Sequence, residues 1–123
     1  MPFHSLIRSF RAAWRGLLSA FKAERTFRVM IGGSLLVVAV IVTLPLLRWE
    51  RLVLVLLTGT VLVLELLNSM VERLADLLKP RLSAYVGEVK DLMAAAVLTA
   101  SLFAALAALL ILAPYLKMLL SGA

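Results

Sequence analysis

The sequence predicts an all-α membrane protein: an N-terminal amphipathic surface helix followed by three transmembrane helices. Three observations carry that expectation. The composition is 63% hydrophobic and only 16% charged, whereas a soluble domain lies near half apolar and a quarter charged. Three apolar stretches each approach or exceed the roughly 20 residues that cross a bilayer core. Ahead of them stands a segment whose apolar residues recur with the helical period without ever forming a continuous run. The length of 123 residues suits one membrane-embedded domain over 1–123.

The surface helix is expected over 3–22. Phe3, Leu6, Ile7, Phe10, Trp14, Leu17, Leu18 and Phe21 line one face, and Arg8, Arg11, Arg15 and Lys22 line the other. Such a helix lies in the interface, apolar face down and arginines among lipid phosphates. The lone histidine, His4, sits within it as a solvated polar residue. The first span is expected at about 29–47, with Gly32 and Gly33 inside it. Arg48-Trp49-Glu50-Arg51 then reads as a very short connection, its tryptophan at interface depth. The second span runs over about 52–78 and stops before Lys79-Pro80, because proline lacks the N–H that would continue the helix. The third occupies about 92–112 after a polar 81–90 stretch. Its alanines, among them Ala94, Ala95, Ala96, Ala104, Ala105 and Ala108, permit close helix approach in lipid.

The charge balance is 13 Lys+Arg against 7 Asp+Glu. In a soluble chain such an excess suggests nucleic acid. Here the basic residues flank apolar runs and no nucleic-acid motif is present, so the bilayer is the expected partner and nucleic acid is not. Basic residues concentrate before the first span and over 73–90. That bias places the N-terminus and this loop in the cytoplasm of a multi-pass membrane protein. The absence of cysteine excludes disulfides and thiolate metal sites.

The second span carries an anomaly. ELLNSMVERLAD, residues 65–76, puts carboxylates into a helix still crossing the membrane. With Leu52 at the outer boundary, the inner one falls near Glu72, and Glu65 lies roughly 10 Å inside it. A carboxylate at that depth is costly unless it faces protein, water or a cation. At about 100° per residue, Glu65, Asn68, Glu72 and Asp76 share an arc of roughly 80°. They form one ladder from the membrane interior to the cytoplasm. Glu24-Arg25-Thr26-Phe27-Arg28 and Lys90-Asp91 stand at the other two inner boundaries. Carboxylates from two elements suit a hard divalent cation and phosphate oxygens, with Lys90, Arg25 and Arg28 neutralising phosphate charge. No GxxxxGK[ST], GxGxxG or HExxH motif occurs, so any nucleotide is held by metal, carboxylates and basic side chains.

ELLNSMVERLAD (65–76), VKDLMAAAV (89–97), ERTFR (24–28) and AWRGL (13–17) occur in an order that resembles the small prokaryotic integral-membrane lipid kinases, diacylglycerol kinase and undecaprenol kinase. The resemblance covers essentially the whole chain. It implies transfer of the ATP γ-phosphate to a membrane lipid alcohol, either diacylglycerol or undecaprenol. It implies Glu65 as general base on the lipid hydroxyl, and Glu24 and Glu72 as carboxylates holding the Mg²⁺ (or Mn²⁺) bound to ATP. Asn68, Asp76, Lys90 and Asp91 complete the expected nucleotide side, while Arg11, Trp14, Arg15 and Arg28 are expected on the lipid side. The resemblance further implies a homotrimer with sites between subunits, where Glu24 and the ladder would meet across a subunit boundary. Two positions depart from the pattern: Arg81-Leu82-Ser83 stands where relatives commonly read like EYH, and Met30 replaces a polar residue after Arg28. The alternative is a small proton-coupled transporter using intramembrane Glu65, though proton coupling has no use for Asn68 or Lys90-Asp91. A non-catalytic assembly subunit would explain the alanines and leave the acidic ladder idle.

Overall fold

The computed structural model describes residues 2–79, 81 and 83–122. Four helices follow in order: α1 (Pro2–Ala23), α2 (Arg25–Thr43), α3 (Arg48–Leu78) and α4 (Ser83–Leu120). The last three are each long and apolar enough to cross a membrane. At 1.5 Å per residue α3 and α4 run for roughly 45 and 55 Å, so each exceeds a ~30 Å hydrocarbon core and extends beyond it. The expected surface helix and three spans are therefore all present.

The helix ends differ from the expected spans in ways the local chemistry explains. α1 and α2 are separated by Glu24 alone, in extended conformation at φ −113° and ψ 109°. The Arg28 guanidinium folds back over this corner and donates to the carbonyls of Phe21 at 2.7 Å and Lys22 at 3.1 Å. It satisfies two of the orphan carbonyls at the end of α1. α2 stops at Thr43, two residues before Pro45, whose ring disfavours helical backbone in Leu44. Residues 44–47 make the connection, and the expected connection at 48–51 is instead the first turn of α3. Glu50 draws it into the helix, since its carboxylate accepts the Leu47 N–H at 2.8 Å and satisfies a free donor at the helix N-terminus.

Residues 83–90, expected as part of a polar loop, are already helical. Lys79 takes extended backbone at φ −76° and ψ 149°, as a residue preceding proline does. Pro80 itself, and Leu82 of the Arg81-Leu82-Ser83 departure, lie outside the described residues.

α3 is the central element, packed against α2 and more extensively against α4. Leu46, Leu54 and Ile111 form a buried cluster toward the 44–47 turn, with Val37, Ile41 and Tyr115 around it. Most other large apolar side chains are exposed, including Leu35, Leu36, Leu102, Phe103, Leu109 and Leu110. Lipid is as apolar as these side chains, so spanning helices need not bury them. α1 touches α2 at the corner, and Ala20 is its one buried residue among those described.

Candidate functional site

The polar site forms at the opposite end of the bundle from the apolar cluster. Glu65 is 3% exposed, although it carries a carboxylate in the middle of α3. Asn68 and Glu72 are half-buried, and Asp76 is exposed. The ladder therefore runs from buried to exposed, as the helical spacing predicts. Glu24, half-buried at the α1–α2 corner, lies within electrostatic range of Glu65, as does Glu72. Glu24 from the α1–α2 corner and Glu72 from α3 thus both act on Glu65 within one chain.

α4 reaches the site through Lys90, whose Nζ lies 4.0 Å from Asp76 Oδ1. Lys79 approaches the same oxygen at 3.8 Å. Asp91 is exposed, facing outward beside Lys90. Arg28 is exposed and engaged in capping α1, so it fixes the corner on which Glu24 sits. Arg11, Trp14 and Arg15 are exposed on α1, roughly 14 to 20 Å from Glu24 along the helix axis. Within one chain they do not join the carboxylates. Arg11 and Trp14 line an apolar surface groove with Leu6, Ile7 and Phe10.

The donor chemistry suits a hard divalent cation, which prefers carboxylate oxygen. Among the described residues, however, no three His, Cys, Asp or Glu side chains stand close enough to hold a metal unaided. A cation at this site needs further oxygen ligands, and phosphate oxygens are the natural complement in such half-built sites.

The stretch from residue 11 to 112 matches the family model described as prokaryotic diacylglycerol kinase. The chain belongs to the prokaryotic diacylglycerol kinase family. The match contains every candidate residue from Arg11 to Asp91. A diacylglycerol kinase of Synechocystis sp. is 38% identical over 104 residues, covering 81% of this chain and 58% of the relative. The chain thus spans somewhat more than half the length of that relative.

Three functional side chains escaped the sequence reading of this family member. Glu50, 7% exposed, accepts a hydrogen bond from the Tyr115 hydroxyl as well as from Leu47 N–H. It clamps the start of α3 to α4, with Tyr115 lying beyond the matched stretch. Its signal was a glutamate at the third position of a helix that restarts after Pro45. Arg73, read only as a topogenic charge, donates to Ser19 Oγ at 3.1 Å and ties α3 to α1. Ser69, 4% exposed, lies between Asn68 and Glu72, and its Oγ has no hydrogen-bond partner among the described residues.

Proposed function

We propose that this protein is an ATP-dependent lipid kinase that transfers the γ-phosphate of ATP to the hydroxyl of a membrane lipid alcohol. Diacylglycerol would yield phosphatidic acid, and undecaprenol would yield undecaprenyl phosphate. The observation that carries the reading is the buried Glu65 carboxylate, within the field of Glu24 and Glu72, on a helix that leads from the membrane interior to water. Family membership supports the same assignment.

The geometry suits the reaction. A lipid alcohol floats with its hydroxyl near the headgroup boundary and its tails in the core, so a base slightly below that boundary can reach it. Glu65 accepts the hydroxyl proton as the lipid oxygen attacks the γ-phosphorus. The bond from the γ-phosphorus to the β,γ-bridging oxygen breaks, and ADP leaves on the aqueous side. Glu24 and Glu72 would hold Mg²⁺ or Mn²⁺ together with phosphate oxygens, and the ion would offset the charge of the triphosphate. Asn68 offers an amide to the transferring group, and Lys90 adds positive charge when it turns from Asp76 toward phosphate. Asp76, which approaches Lys79 and Lys90, and Asp91 would complete the nucleotide side. Arg11, Trp14, Arg15 and Arg28 serve the lipid side, with α1 lying along the headgroups.

The concentration of basic residues before α2 and around the α3–α4 turn supports a cytoplasmic N-terminus in a bacterial inner membrane. A homotrimer supplies the walls that one thin bundle lacks, with each site drawing on a neighbouring chain. Purified protein in vesicles, given radiolabelled ATP and a panel of lipid alcohols, tests the proposal. Label should pass to lipid with Mg²⁺ present. Transfer to none of the alcohols under conditions that keep the protein folded would refute it.

A further inference from the structure

Ser69 differs from four other hydroxyl residues of the spanning helices. Ser34, Thr43, Thr58 and Thr60 each donate to the carbonyl four residues earlier, at 2.6 to 2.8 Å. That back-bond is the default for a hydroxyl in a helix with no better partner. Ser69 is more deeply buried than any of them and yet its Oγ makes no hydrogen bond among the described residues. A buried hydroxyl left unpaired is destabilising, and native structures rarely retain one without a use.

Its surroundings give that use a shape. α1 and α3 diverge to leave a groove of about 590 Å³, lined by Gly16, Leu17 and Ala20 on one side and Leu66, Ser69 and Arg73 on the other. A Cβ at Gly16 would meet nothing within 4 Å, so the groove is open at its α1 wall. It is apolar along most of its length, and the Arg73–Ser19 hydrogen bond spans from α3 to α1 beside it. Around α3, Ser69 lies about 40° from Glu65 on one side, and Leu66 and Arg73 lie within about 60° on the other. It therefore stands where the groove meets the acidic ladder, one helical turn or ~6 Å along α3 from Glu65.

We infer that Ser69 donates its hydroxyl proton to an ester carbonyl of the lipid substrate, and so selects an ester-bearing glycerolipid alcohol over a polyprenol. The inference rests on the lipid-kinase reading above. In a diacylglycerol the free hydroxyl and the neighbouring ester carbonyl are only a few bonds apart, a separation that one helical turn can match. With the hydroxyl at Glu65, the carbonyl falls beside Ser69 and the adjacent acyl chain enters the apolar groove. A polyprenol carries a single oxygen, which Glu65 takes, and leaves Ser69 buried and unpaired. The selectivity thus comes from a site donor that only one lipid class satisfies.

The test uses the full-length protein in neutral phospholipid vesicles with three acceptors: a 1,2-diacylglycerol, its dialkyl ether analogue and a long polyprenol. The ether analogue keeps the hydroxyl and the tails and lacks the carbonyls. The intact protein should prefer the diester over the diether by roughly 5-fold or more in kcat/KM, mostly through KM. Ser69→Ala should bring that ratio close to one by weakening the diester alone, and Ser69→Thr should restore part of it. Alanine suits a helix interior and removes a buried unpaired hydroxyl, so thermal stability should be unchanged or slightly raised, and the oligomeric state unchanged. Equal loss on all three acceptors, an unchanged diester preference, or a changed oligomeric state in Ser69→Ala would each overturn the assignment. The last of these would mean that the hydroxyl serves a neighbouring copy. Failure of the intact protein to phosphorylate any acceptor would instead defeat the lipid-kinase reading itself.

Discussion

Replacing Glu65 with glutamine separates chemistry from folding at this position. Glutamine keeps the volume and one carbonyl oxygen but accepts no proton at neutral pH. A general base contributes about 10²- to 10⁴-fold, so the turnover number should fall by at least ~100-fold, equivalent to about 2.7 kcal/mol or more of transition-state stabilisation. Stability should respond differently. Glu65 is buried, and the charged groups whose fields reach it are the carboxylates Glu24 and Glu72. No hydrogen bond to its carboxylate is present among the described residues. Neutralising it removes repulsion and breaks no ion pair, so the variant should be as stable as the parent or slightly more stable, by about 1 kcal/mol at most. Phosphate transfer to lipid in vesicles measures the first quantity, and thermal unfolding in detergent the second. Near-parental turnover would remove Glu65 from the mechanism. An activity loss that merely tracks a lowered unfolding temperature would make it a structural residue.

Glu24→Gln and Glu72→Gln should each raise the Mg²⁺ concentration needed for half-maximal activity, by roughly 10-fold; ATP titrations at several metal concentrations check this, and unchanged metal dependence in both would contradict the assignment. Glu50→Ala leaves the Leu47 N–H and the Tyr115 hydroxyl without their shared acceptor. It should lower stability by about 2 kcal/mol while lipid phosphorylation at saturating substrate stays near parental, as thermal unfolding and the vesicle assay would report. Co-refolding Glu65→Gln with Lys90→Gln chains should restore about a quarter of parental activity if Lys90 comes from the neighbour in a closed ring, whereas Glu24→Gln mixed with Glu65→Gln should restore none.

The sequence carried the four helices because hydropathy and period are local properties. Glu65, Asn68, Glu72 and Asp76 were legible for the same reason, since one helix fixes their relative directions. The failures lie where a helix end depends on a single side-chain bond. Glu50 converts an expected connection into the first turn of α3, and Arg28 lets α1 and α2 meet with only Glu24 between them. That tight corner is why Glu24 reaches the ladder of its own chain. No spacing rule foresees it, because α1 and α3 are far apart in sequence. Ser69 was hidden differently: a serine inside an apolar helix normally bonds its own backbone, and only the packed structure reveals that this one does not.

The charges at the site motivate the proposed contribution from a neighbouring chain. Glu24 and Glu72 both act electrostatically on Glu65, and a bound triphosphate adds several more negative charges. The basic residues nearby are largely committed: Arg28 to the end of α1, Arg73 to Ser19, Lys79 and Lys90 to Asp76. A divalent ion offsets only part of the excess. The Lys90–Asp76 contact is at the 4.0 Å limit and both groups reach solvent, so it is worth little and is easily exchanged. Lys90 can therefore exchange partners, and in an assembly its anionic partner can be a phosphate on an adjacent chain. Glu24 has no such freedom, being fixed at the corner beside its own ladder. The two mixing experiments follow from this contrast, with Lys90 complementing across a boundary and Glu24 failing to. Restoration by Glu24→Gln with Glu65→Gln would show that the corner docks on a neighbour's ladder in the assembly, and would undo the single-chain carboxylate cluster on which the reading stands.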